Sequence, residues 1–197
     1  MTRINDTRSD EHPALTLLQQ RVSHPRLTEP GPSRDQLTKL YKAALRAPDH
    51  AWLRPWRFIE VAGDDRAQLG EHLANSARED NPDINDKQIQ KLLNSPLRAP
   101  LVLIIWAQII DHPKVPDIEQ ILATGAATTN LLNAAHALGL GAVWRTGAPA
   151  YSPTLKRRLG MADRDQLVGF IYLGTPSGAN KPIPELNPAD FVRSLSP

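Results

Sequence analysis

Apolar positions along the chain recur with two different periods, and each change of period marks a new element. From Pro13 to Val22, the residues Leu15, Leu17, Leu18 and Val22 carry a first helix with Pro13 near its start. The charged, proline-rich stretch from Ser23 to Pro32 predicts a loop. Ser33 then stands as an N-cap ahead of Leu37, Leu40, Tyr41, Ala44 and Leu45, whose 3.6-residue spacing predicts a second helix. Pro48 ends it by driving the preceding residue out of helical backbone. Trp56 to Ala62 has strand character, and Gly63 and Asp64 turn it into polar-faced helices near Arg66 to Arg78 and Asn85 to Asn94.

Leu101 to Ile110 is almost continuously apolar, which predicts a strand covered on both faces. A loop from Asp111 to Pro116 leads to a long helix, about Asp117 to Leu138, uncharged from Ile121 onward and closed by Gly139 and Gly141. Ala142 to Thr146 predicts a short strand. Ser152 and Pro153 open a helix to Arg158 with Gly160 as its stop. Gln166 to Leu173 is the last strand, and the segment from Gly174, with Pro176, Pro182, Pro184 and Pro188, predicts an extended arm. The sum is an α+β chain of about four strands and six helices. It forms one domain over residues 12–197 after a disordered tail at 1–11.

Composition removes several classes of function. The 197 residues include no cysteine, which excludes thiolate nucleophiles, disulfides and cysteine metal sites. Lys plus Arg is 23 against 21 for Asp plus Glu, and only Lys156 to Arg158 makes a basic run, so no nucleic-acid footprint is present. Met1 to Glu11 is polar, unlike a secretory signal, so a cytoplasmic location is expected. Ile121 to Trp144 holds no charged residue and is long enough to span a bilayer. Thr124, Thr128, Thr129, Asn130, Asn133 and His136 load every face of it with polar groups, so a buried helix is expected and no membrane.

The usual catalytic signals are absent: there is no nucleophile elbow, no Walker loop and no paired-histidine metal spacing. Gly139-Leu140-Gly141 follows a helix, the reverse of a dinucleotide glycine motif, and reads as a cap and turn. Three loop segments combine arginine with hydroxyl, imidazole or free backbone groups. They are Arg21-Val22-Ser23, the stretch from Arg46 through His50 to Phe58, and Gly139 through Trp144, Arg145 and Thr146 to Gly147. A guanidinium fork suits phosphate and the carbonyl edge of a planar ring. Each arginine could equally serve a local ion pair, and His50 a backbone contact.

These segments resemble the nitroreductase family of flavoproteins, particularly its short-chain NAD(P)H nitroreductases. Arg21-Val22-Ser23 matches the family's Arg-x-Ser, Ala47-Pro48 then Pro55-Trp56-Arg57-Phe58 its second motif, and Gly139 to Trp144 its third. Val168 to Gly174, followed by Pro176, fits as well. The resemblance implies a nitroreductase-like fold, a central mixed sheet flanked by helices, in an intertwined homodimer with FMN at the subunit boundary. It implies an oxidoreductase taking electrons from NADH or NADPH and passing them to a small-molecule acceptor such as a nitroaromatic or quinone. Arg21, Val22 and Ser23 would hold FMN, as would Arg46 and His50 from across the dimer and Trp144, Arg145 and Thr146. Ala134 to Gly139 would meet the nicotinamide nucleotide, and the arm would cross the partner. No catalytic side chain and no metal are assigned, because the redox chemistry belongs to the cofactor. Arg54 stands where the family usually has Gln, and Val22 where it has Arg or His. A non-catalytic FMN-binding or storage protein would share these residues and is the rival reading.

Overall fold

A computed structural model describes residues 12–195. The tail expected over residues 1–11 lies outside the described residues.

Six α-helices and five strands follow one another among them. The strands are β1 (Leu27–Thr28), β2 (Trp56–Ala62), β3 (Leu101–Ala107), β4 (Gly141–Arg145) and β5 (Gln166–Pro176). The helices are α1 (Pro13–Gln20), α2 (Arg34–Ala44), α3 (Asp65–Asp80), α4 (Asp86–Asn94), α5 (Asp117–Ala137) and α6 (Pro153–Arg158). β5 is the hub: β3 pairs along one edge, β4 along the other, β1 joins its far end, and β2 lies outside β3. Every described pairing is antiparallel, so the sheet expected to be mixed holds no parallel pair within this chain.

The alternation of side chains along β3 splits the core in two. Leu101, Leu103 and Ile105 face α2 and α5, while Val102 and Ile104 face α3 and α6. All five are at most 5% exposed, as a strand covered on both faces demands. β3 nevertheless stops at Ala107, short of the expected Ile110. The amides beyond it go elsewhere: Gln108 N–H to the Pro55 carbonyl, Ile109 N–H to Asp165 and Ile110 N–H to the buried Gln120 side chain. Apolar sequence alone cannot reveal that loss of ladder partners. β5 likewise runs past Leu173 to Pro176, because β1, inside a segment expected to be loop, pairs with its end.

Ser33 caps α2 as expected, its hydroxyl accepting the Gln36 amide at 3.2 Å while Gln36 returns a bond to the Ser33 amide at 2.9 Å. Four of the polar residues of α5 are satisfied inside the protein, Thr129 through the Gly125 carbonyl at 3.1 Å. Thr124 and Thr128 donate to the Gln120 and Thr124 carbonyls at 3.0 and 2.8 Å, and Asn130 donates to Ala43. No described helix is long and apolar enough to cross a membrane. α5 is not buried all round, however. Ile118, Leu122, Thr129 and Ala137 form an exposed stripe down one side, with half-covered Gly125 and Asn133 in line.

Residues 178–195 lie almost wholly exposed, and Ile183, Leu186, Phe191 and Val192 present apolar side chains that find nothing to pack on. The extended arm expected from Gly174 thus begins at Ser177, once β5 has ended.

Candidate functional site

The first segment begins where α1 stops at Gln20, two residues short of the expected Val22. Arg21 is extended (φ −62°, ψ 126°), and the chain is then fixed by the His24 amide donating to the Ala142 carbonyl at 2.9 Å. Arg21, Val22 and Ser23 are half-buried. His24 Nε2 lies 3.1 Å from Asn180 Oδ1, at the root of the arm, while its Nδ1 is buried without a hydrogen-bond partner among the described residues. His136, on the last turn of α5, shares this corner. Burial first, then the neighbouring His24 and Arg21, hold its pKa below the ordinary 6.5. Three groups that can carry positive charge meet here with no carboxylate paired to them among the described residues. A phosphate is the natural complement of such a corner.

The second segment leaves α2 at Leu45 and crosses to β2 through backbone that side chains rarely adopt. Ala51, Trp52 and Arg54 have φ of 58°, 54° and 49°. The Asp49 carboxylate holds the turn by accepting the Arg54 amide at 2.7 Å. His50 Nδ1 lies 2.7 Å from Glu119 Oε2 in the first turn of α5. Arg46, Asp49, Trp52, Arg54 and Trp56 line a groove of about 580 Å³.

The third segment is β4 and its exit. Successive side chains alternate, so Trp144 and Arg145 part to opposite faces of the sheet. Trp144 lies on the α5 side, its indole N–H donating at 3.1 Å to the carbonyl of Val168, the residue left unpaired by a bulge between β3 and β5. Gly169 beside it (φ 151°) has no room for a Cβ, which would collide with the Trp144 Nε1. Arg145 lies 5.6 Å over the Tyr172 ring on the other face, its Nε buried and without a partner. Thr146 is exposed. Both side chains cannot line one ring from one face. What the segment offers on a single side is Trp144, Thr146 and the backbone of a strand that pairs only with β5.

Residues 18–175 match the profile described as the nitroreductase family. The chain belongs to the nitroreductase family. It is 39% identical over 180 residues to the Escherichia coli (strain K12) protein named "Putative NAD(P)H nitroreductase YdjA", covering 91% of this chain and 97% of that one. Its fold superposes on a nitroreductase-like protein from Bacillus cereus with a TM-score of 0.81 at 21% identity, covering both chains completely. A Bacteroides fragilis nitroreductase with bound FMN gives 0.70 at 18% identity over 94% of this chain and 100% of that one.

In this nitroreductase the three segments do not gather at one place within one chain. His50 sits at the first turn of α5 and the Arg21 corner at its last turn. Glu119 and His136 are separated by about 25 Å at 1.5 Å per helical residue. Sequence reasoning gave His24 no role and took His136 only as part of Ala134 to Gly139. The two lie far apart in the chain and meet because the segment after α1 is tied to β4, the His24 amide donating to the Ala142 carbonyl. No cluster of metal-ligating side chains occurs among the described residues.

Proposed function

We propose that this protein is an FMN-dependent NAD(P)H oxidoreductase that reduces nitroaromatic, quinone or similar small acceptors and works as a homodimer. The observation that carries the reading is the Arg21–His24–His136 corner, half-buried, built from one guanidinium and two imidazoles, and holding an imidazole nitrogen without a partner among the described residues. It fits the phosphate end of FMN, and Val22 and Ser23 continue from it along the nucleotide. Trp144, Thr146 and the free edge after Ala142 would face the ring. Arg145, directed to the other face, would contribute through its backbone. His50, at the first turn of α5, lies too far from the corner to reach the same nucleotide from one chain, which supports the arrival of its segment, Arg46 included, from a partner. FMN, when bound, would carry a hydride from NADH or NADPH to the acceptor. The protein's part is to orient ring, donor and acceptor and to keep water out.

The exposed stripe of α5 supports the dimer. An isologous pairing of two α5 helices, run antiparallel, brings the first turn of one to the last turn of the other. The unpacked apolar residues of the arm supply further surface for a partner. The relatives agree in kind: the Escherichia coli protein's name carries NAD(P)H, and the Bacteroides fragilis structure holds FMN.

The test is the absorbance spectrum of the purified or FMN-reconstituted protein. The flavin bands are expected to be present and to bleach anaerobically with NADH or NADPH. A colourless protein that takes up no FMN refutes the reading. A yellow protein that fails to oxidise NAD(P)H whatever acceptor is supplied supports FMN storage instead.

A further inference from the structure

We infer that the outer lip of the groove, Trp52 with Arg54, selects planar aromatic acceptors that carry a negative charge. The inference rests on the oxidoreductase reading and deepens it to a substrate class.

The lip is built for display. Trp52 is 80% exposed, with its indole in open water, and positive φ at Ala51, Trp52 and Arg54 holds it there. The Asp49 carboxylate fixes that backbone through the Arg54 amide. The Arg54 guanidinium lies over the Trp52 ring, 5.9 Å from its centroid, so the lip presents a flat aromatic surface and a cation together.

The charge around the groove is one-sided. Arg46, Arg54 and Arg57 stand against Asp49, and none of the three pairs with a carboxylate among the described residues. Arg57 is committed to the carbonyls of Arg54 and Trp56, each at 2.8 Å, and Asp49 to an amide. Arg54 is the cation left to read a ligand at the mouth, with the exposed Arg46 on the wall that follows α2. A volume of about 580 Å³ suits a small aromatic molecule beside a flavin ring. A neutral acceptor would gain stacking alone. A ring bearing carboxylate or sulfonate would also engage the guanidinium fork.

The test compares para-nitrobenzoate with para-nitrobenzamide, alike in ring and nitro group and different in charge. In each turnover the hydride of one NAD(P)H and one further proton convert nitro to nitroso and release water. In Arg54→Asn, the nitrobenzoate-to-nitrobenzamide ratio of kcat/KM should fall about fivefold, the effect of one exposed charge contact, through a higher KM for the anion. Asparagine tolerates positive φ, so the turn is retained. The wild-type ratio should also fall as salt is raised, a readout that needs no variant. Arg158→Gln, at a surface pair with Glu79, should leave the ratio unchanged. An unchanged ratio in Arg54→Asn together with a salt-independent wild-type ratio overturns the inference. So does a rise confined to the KM of NADPH relative to NADH, which would make Arg54 a reader of the donor's phosphate. Turnover of both acceptors with an indifferent ratio refutes the charge selection and leaves the oxidoreductase standing. Absence of flavin and of NAD(P)H oxidation removes both.

Discussion

Replacing Arg21 with alanine tests the phosphate corner directly. Arg21 forms no ion pair among the described residues, so the fold loses no partner when the guanidinium goes. Unfolding stability should therefore stay within about 0.5 kcal/mol of wild type. Relief of His136 from a like charge makes any change small and favourable. FMN binding should respond quite differently. Hydrogen bonds from a charged donor are worth about 1.5–3 kcal/mol, and the half-buried setting keeps them from full solvent screening. At about 1.4 kcal/mol per decade, Arg21→Ala should weaken FMN binding about 10- to 150-fold. Cofactor should be lost on dilution and activity restored by excess FMN. Flavin fluorescence titrated into the two apo-proteins measures this, with Arg157→Ala as the control that changes nothing. Equal dissociation constants for wild type and Arg21→Ala would remove the corner from the site.

The remaining predictions concern the helix, the histidine and the sheet. Leu122→Glu sets a charge in the exposed stripe of α5 and should convert a dimer to a monomer by sedimentation; an unchanged dimer would place the interface elsewhere. His136 has a lowered pKa in the apo-protein, so its stabilising contribution is present above pH 6.5 and lost as pH falls through the lowered value. A bound phosphate should raise that pKa again, so FMN affinity should increase as pH is lowered through this range. The dependence should flatten in His136→Gln, and a wild-type profile already flat would contradict it. Gly169→Ala drives a Cβ into the Trp144 indole at a backbone suited to glycine, and should cost about 3 kcal/mol by denaturant unfolding. A loss below about 0.5 kcal/mol would mean that the bulge relaxes freely.

Local signals carried most of the fold. The Ser33 cap, the Pro48 stop, the apolar run of β3 and the glycine after α6 each act through neighbours a few residues away. Period and turn chemistry therefore located them. The errors came where long-range pairing overrides local pattern. Ile109 and Ile110 are apolar enough for a strand but give their amides to Asp165 and Gln120. Leu27 and Thr28 look like loop until Thr175 and Pro176 pair with them. The site divides in the same way. Arg21, Arg46, His50 and Trp144 lie in motifs, and the motifs nominated them. Their distribution along α5 was not legible, because no spacing in sequence records which end of a helix a distant loop touches. His24 left no signal, and His136 entered only within the Ala134 to Gly139 stretch: two isolated histidines become one corner only through tertiary packing. The opposite facing of Trp144 and Arg145 did follow from strand period and could have been read once β4 was recognised.

His50 and Arg21 occupy opposite ends of one helix, so in a two-fold pair each FMN would draw one end from each chain. A subunit without Arg21 then damages one pocket with its own loss, and a subunit without His50 damages the other. Placed together in one mixed pair, two individually crippled proteins can concentrate both lesions in a single pocket and leave its twin whole. At limiting FMN, coexpression of Arg21→Ala with His50→Ala would thus rescue turnover that neither variant shows alone, the behaviour geneticists call intragenic complementation.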